Sequence, residues 1–171
     1  MLCENGTDVL MTFLYANGAR GEHDSILGFT RLDKLMWLLS KTEEFEKLVD
    51  FEFDNENYGP LSVELYDTLQ ALIYAGLVCV GHKLKPQNAI DAIDESLIES
   101  EVSDFKVPWK FYSVEEYRLS QKGLVVAKAL FKSLTDEQKR RLWIVKTDIG
   151  NRPMQIILHY VYMKQREGER G

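Results

Sequence analysis

Cys79 and His82, three positions apart, have the spacing of half a zinc site. The only other cysteine is Cys3, and the remaining histidines, His23 and His159, stand alone, so four ligands cannot be gathered from adjacent motifs. Cys79 reads as a small core hydrophobe, and no metal site is expected. Asp50, Glu52, Asp54 and Glu56 alternate as one face of a strand and could hold a hard cation, but the fixed glycine of a calcium loop is missing. A solvated acidic face is the simpler reading. Gly-rich phosphate loops and nucleophile elbows are absent from the sequence, so neither an enzyme nor a cofactor is expected. What remains is electrostatic: Arg118, Lys122, Lys128 and the run Lys139, Arg140, Arg141 are the cations that could meet phosphates.

Those cations sit in a strongly asymmetric chain. The formal net charge is -6 over 171 residues. Residues 1–85 hold 7 Lys and Arg against 14 Asp and Glu, residues 86–105 hold 6 acids and no base, and residues 106–171 hold 14 bases against 7 acids. Such a division expects either mutual packing of the two parts or an acidic partner for the basic one. Two cysteines suit a reducing compartment, and the first apolar run, Val9 to Tyr15, is too short to span a bilayer. A cytoplasmic protein with no membrane contact is expected.

The elements that must position these residues are clearest between Phe51 and Val80. Phe51 and Phe53 alternate with acids as in a half-buried strand. Tyr58, Gly59 and Pro60 should end that strand in a structural turn, with Gly59 in a conformation closed to residues that carry a Cβ. Ser62 is the expected N-cap of a helix reaching about Ala75, with Leu65, Leu69, Leu72 and Ile73 inward and Gly76 as a left-handed cap. Leu77 to Val80 is apolar throughout, as in a strand covered on both faces. This strand, turn, helix and strand order is that of a winged helix-turn-helix.

Around that block, Asp8 to Asn17 reads as a short helix with Val9, Leu10, Phe13 and Leu14 inward, followed by a loop from Ala19 to Leu27. Thr30, with Asp33 three residues on, resembles a capping box for a helix whose apolar stripe is Leu32, Leu35, Met36 and Leu39, leaving Arg31, Lys34 and Lys41 to water. Residues 83–108 replace a tight wing hairpin with an acidic insertion, where Asn88 could cap a short helix. Trp109 to Tyr112 and Glu116 to Leu119 read as a returning strand interrupted near Ser113, and Ser120 to Gly123 turn into a helix with Leu124, Val125, Ala127 and Leu130 available for burial. Thr135 and Gln138 form a capping box for a helix that Gly150 ends. In the last helix Met154, Ile157, Leu158 and Val161 make the core stripe, yet Ile156, Tyr160, Tyr162 and Met163 fill much of the remaining circumference. The tail from Arg166 should fray.

The segments TRLDKLMWLL, FDNENYGPLSVELYDTLQALIYAGLV, EEYRLSQKG and RPMQIILHYVYMKQ occur here in that order. In order and spacing the chain resembles the YwgA-like family of prokaryotic proteins from Phe29 to Lys164. The Tyr-Gly-Pro-x-Ser turn leading into Leu-Tyr-x-x-Leu is similar to that of the wider Panacea (SocA-like) antitoxin domains. The resemblance implies a mostly helical, winged-helix-like fold and a regulatory, non-catalytic or antitoxin-like role.

The expectation is therefore an α+β, mostly helical single domain over 1–171. Its winged-helix core covers about 29–132, with a small antiparallel sheet, an acidic wing insertion at about 83–108 and a C-terminal helical extension at about 133–164. Two modes of action compete. A DNA-binding regulator would place residues 62–75 in the major groove, but that helix carries Glu64 and Asp67 and no Lys or Arg, so binding would fall to the six basic residues named above. A protein-contact regulator would present the last helix to a partner or to a second copy, as a homodimer through Ile156, Tyr160, Tyr162 and Met163.

Overall fold

Helix α2 (Phe29–Ser40) is apolar on nearly every side once Trp37 and Leu38 are counted with its stripe, and a helix of that kind is stable only when surrounded. In the computed structural model it is surrounded. Every residue from Phe29 to Leu39 is buried, packed against β1, β3, α3 and the C-terminal helices. The structure describes residues 1–56, 59–86 and 111–170. The acidic stretch 88–104, Tyr58 and Trp109 lie outside the described residues.

The described chain is α+β and predominantly helical. It comprises α1 (Gly6–Tyr15), β1 (Ile26–Leu27), α2, β2 (Asp54–Glu56), β3 (Gly59–Leu61), α3 (Val63–Tyr74), β4 (Val78–Pro86) and β5 (Phe111–Leu119). Three helices follow: α4 (Gln121–Lys132), α5 (Asp136–Ile144), continued by a π-helical turn at Val145–Ile149, and α6 (Met154–Arg170). Strands β1, β5 and β4 form an antiparallel sheet in that order, with Ile26 opposite Tyr117, Val78 opposite Leu119 and Val80 opposite Tyr117. Strands β2 and β3 form a separate hairpin, Glu56 opposite Gly59. One contiguous core joins α1, α2 and α3 with Tyr117 and Leu119 of the sheet and Ile157 and Val161 of α6.

Several local expectations hold for the physical reasons given. Ser62 accepts from Leu65 N at 3.0 Å and starts α3, whose Leu65, Leu69 and Leu72 are buried. At its end Leu77 N bonds Leu72 O and Gly76 N bonds Ile73 O, a Schellman ending made possible by Gly76 at φ 77°. Thr135 and Gln138 make the reciprocal capping box of α5. The pairing of Val78 to Val80 with Tyr117 to Leu119 in a small antiparallel sheet is present.

Other expectations are corrected. Helix α1 starts at Gly6, because Asn5 accepts from Asp8 N and the Asp50 carboxylate takes Gly6 N at 2.8 Å. The 19–27 segment is not wholly loop, since its last two residues pair with β5. Phe51 and Phe53 pack inward without strand pairing, and Gly59 and Pro60 extend as β3 instead of ending a strand. Gly59 does take a glycine conformation, φ 94°. Val80 is exposed, so β4 is not covered on both faces, and β5 runs without interruption through Ser113, opposite Leu84. Val125 points to solvent on α4, and α6 stays helical to Arg170. Strand β4 extends to Pro86, four residues into the expected insertion.

The largest correction concerns α2. Its N-cap is Gly28, at φ 90°, with no side-chain cap bond, and Thr30 and Asp33 lie inside the buried helix. Arg31 and Lys34 do not face water: Lys34 is 1% exposed and Asp33 not at all. Lys34 Nζ donates to Asp33 Oδ2 at 2.9 Å and to the Pro60 carbonyl at 2.5 Å, while Ser62 N donates to Asp33 Oδ1 at 3.0 Å. Burial pushes the Asp33 carboxyl up, against the lowering by the Lys34 charge and by the bonds from Lys34 and Ser62. Removing one partner of a buried pair leaves an uncompensated charge, which costs about 3 to 5 kcal/mol. Lys34→Met should lose stability in that range by urea unfolding, and adding Asp33→Asn should recover part of it. A single variant within about 1 kcal/mol of wild type would show that the pair does not anchor the hairpin.

Candidate functional site

Helix α6 carries two apolar stripes. Met154, Ile157, Leu158 and Val161 recur at helical spacing and are buried as the sequence pattern requires, Ile157 and Val161 in the core that holds α2 and Met154 with Leu158 in a cluster of their own. Ile156, Tyr160 and Met163 fall at i, i+4 and i+7 on the opposite side, and they are 42%, 42% and 47% exposed. Tyr162 lies apart from them. A Cβ built on Gly59 would come 3.7 Å from its ring and 3.4 Å from Val161, so Tyr162 flanks the hairpin while remaining partly open to water. Gln165 Nε2 bonds Asn55 Oδ1 at 3.1 Å further along the same contact. Three of the four expected interface residues therefore share one outward face.

The six expected phosphate-binding cations are not brought together. Arg118 is exposed on β5 opposite Cys79, and Lys122 and Lys128 are exposed on different sides of α4. Lys139, Arg140 and Arg141 are consecutive, so a helix must fan them apart. Arg141 turns to Glu44, with Nε to Oε2 at 3.2 Å and Nη2 to Oε1 at 3.3 Å, and this bond holds the Glu44 carboxyl below its usual range. Lys139 and Arg140 instead line a cavity of about 450 Å³ together with Tyr15, His23, Phe131 and Trp143. Lys139 Nζ stands 5.5 Å over the Phe131 ring, Tyr15 stacks near His23 at 4.2 Å, and Trp143 is 54% exposed at the rim. Helix α3 presents Glu64 and Asp67 to solvent, whereas Tyr66 packs edge-on against Phe29.

A second concavity escaped the sequence reading. The turn 150–153 and the 19–27 segment enclose about 270 Å³ lined by Arg20, Arg31, Lys146 and Arg152, with Asp24 and Ser25. Arg31 Nη1 donates to the Gly150 and Arg152 carbonyls at 3.0 and 2.6 Å, and Arg31 Nε to the Leu27 carbonyl at 3.2 Å. Lys146 is carried inward by the π-helical turn, and its ammonium donates to the carbonyls of Leu14 and Ala16, at 3.0 and 2.6 Å, at the negative end of α1. Only the near-continuous apolar circumference of α2 signalled that Arg31 would be buried. Nothing in the sequence signalled Lys146.

Among the described residues no group of three or more His, Cys, Asp and Glu side chains could hold a metal ion. Cys79 and His82, an odd number of positions apart on β4, project to opposite sides of the strand. Burial, with the Asp8 charge in support, pushes the Cys3 thiol up to about 11, which disfavours the nucleophilic thiolate. Comparison with models of protein families, with curated proteins and with solved structures gives no significant match.

Burial pulls Lys146 down to about 7, with the Asp24 charge opposing and the Arg20 charge adding to the effect. The unfolded chain binds this proton up to an ordinary lysine pKa of 10.5, so between about pH 7 and 10.5 unfolding takes up a proton and stability rises with pH. The slope from this group is at most about 1.4 kcal/mol per pH unit. Urea unfolding between pH 7 and 9.5 should show it in the wild type and lose it in Lys146→Met, whatever the absolute stability of the variant. Equal slopes in the two proteins would place the Lys146 transition outside that window.

Proposed function

We propose that this chain is a non-enzymatic regulatory protein on a winged-helix scaffold, working in the cytosol through protein contacts, with the outer face of α6 joining a second copy. The observation that supports this most strongly is the second apolar stripe of Ile156, Tyr160 and Met163, which the fold positions firmly by burying the first. A two-fold interface sets the same patch against itself. Two α6 helices crossing antiparallel near Tyr160 would bring Ile156 of each against Met163 of the other. A seam of one helix falls at the small end of stable interfaces, which places dissociation on the order of tens of micromolar. The free thiols of Cys3 and Cys79 suit a reducing compartment, and among the described residues no helix is long and apolar enough to cross a membrane.

Nucleic acid is the second reading, favoured by the aromatic cavity beside Lys139 and Arg140. An exposed indole next to two cations is the combination that stacks an unpaired base and meets its phosphate, whereas the acidic face of α3 is unsuited to a major groove.

Sedimentation equilibrium tests the first reading: the wild type should dimerise across tens of micromolar, and Ile156→Asp should be monomeric with unchanged helix content. A monomeric wild type at about 100 micromolar, well above that dissociation range, removes the dimer. Quenching of Trp143 fluorescence by oligothymidylate at low salt tests the second. Trp143→Leu should remove the quench and, with Arg140→Ala, weaken binding by about tenfold or more, since each stacked base contributes about 1 to 3 kcal/mol. No quench at low salt overturns that reading.

A further inference from the structure

The 450 Å³ cavity beside Trp143 is lined by two charges of opposite sign, Arg140 and Glu22, that do not meet. Both are exposed, and among the described residues neither side chain makes a hydrogen bond or an ion pair. Opposite charges that share a cavity without pairing offer two separate poles to one occupant. The apolar wall is already packed: the Tyr15 ring lies 4.2 Å from His23 and 5.1 Å from Phe131, and Lys139 Nζ stands over Phe131. Trp143, 54% exposed, is the ring of the four that stays largely open. The polar groups of the lining have defined roles as well. His23 sits at φ 50°, a left-handed conformation that a residue with a Cβ keeps only where its surroundings hold it, and its Nδ1 hydrogen goes to the Tyr15 carbonyl. Asn17 Oδ1 accepts from His23 N at 3.3 Å, which leaves the Asn17 amide hydrogens to donate.

We infer that this cavity selects guanine nucleotides, with the base on Trp143, its pairing edge on Glu22 and the phosphate on Arg140. The inference rests on the reading of this cavity as a base-stacking site and goes further by naming the base. Guanine alone presents two adjacent N–H donors that one carboxylate accepts together, with a carbonyl beside them for an amide donor such as that of Asn17. Uracil and thymine flank a single N–H with two carbonyls, which a carboxylate repels. Adenine and cytosine offer one amino group beside a bare ring nitrogen. At the other pole a guanidinium fork matches phosphate oxygens in pairs. The volume lies in the usual range of small-molecule sites, about 300 to 1,000 Å³, which suits one nucleotide and not a run of stacked bases. A free guanine nucleotide and a guanine within a single strand share this chemistry.

Calorimetric titration of the full chain, at matched ionic strength, tests it with GMP, AMP, CMP and UMP, and with a short oligothymidylate against the same strand carrying one central guanine. Guanine should be favoured by at least about tenfold within each set, the discrimination usual for a bidentate pair. Glu22→Gln keeps the size of an exposed side chain, so the circular dichroism spectrum should be unchanged while the preference falls to about threefold or less. Arg140→Ala should weaken all four mononucleotides alike and keep their order. A guanine strand that binds more tightly than GMP identifies the source as a strand, and the reverse identifies it as the free nucleotide. Oligothymidylate binding with no guanine preference in either set overturns the inference and leaves the base-stacking reading standing. Failure of every probe to bind below about 10 millimolar overturns both. A preference that survives Glu22→Gln in full also overturns the inference.

Discussion

The buried pair of Asp33 and Lys34 sets the relative positions of three elements at once. Adjacent helix residues do not face each other, yet both side chains converge on the segment from Pro60 to Ser62, because α2 is enclosed and its charges have no route to water. Buried ions are tolerated only when every polar atom finds a partner, and among the described residues no buried side-chain nitrogen or oxygen lacks one. Asp33 accepts from the backbone amide of Ser62, which caps α3, while Lys34 donates to the carbonyl of Pro60, two residues earlier. The pair thus ties α2, the β3 strand and the start of α3 together by hydrogen bonds, beside the apolar core that α2 and α3 share.

Helix α6 depends on that arrangement. It lies on α2 and on β3, where Val161 and Tyr162 pack beside Gly59 of the hairpin. Its inner stripe is consumed in the core, which is why its outer stripe acquires a defined orientation and becomes usable as an interface. The basic cleft sits at the beginning of the same helix, beyond the π-helical turn. That turn inserts an extra residue into the helical register, and here the shift carries Lys146 toward the carbonyl end of α1. One helix therefore connects an apolar surface with an electropositive concavity, each on its own residues.

Elements governed by neighbours within a few residues were legible in the sequence. The Ser62 cap, the Gly76 ending, the Thr135 and Gln138 box and the inner stripe of α6 are local hydrogen-bond or periodicity features, and each is present as expected. Strand limits were less legible. Residues 26–27 become a strand only because β5 offers an edge, and Phe51 and Phe53 are buried without a partner strand although their alternation looks like one. The Thr30 and Asp33 pattern was misleading, since the same residue types serve as a cap at an exposed helix start and as a buried anchor inside an enclosed one.

The amino-acid order by itself determined which of the described segments are helical, the caps that start the Ser62 and Thr135 helices, and that one helix has more apolar surface than a single stripe can hide. Tertiary structure alone decided the fate of the charges. Whether Lys34 is solvated or buried, whether Arg141 faces a ligand or Glu44, and whether Arg20, Arg31, Lys146 and Arg152 share one space depends on residues up to 132 positions apart being folded into contact. Periodicity reports only which side of an element is apolar, whereas the environment of a charge is set by whatever other elements close over it.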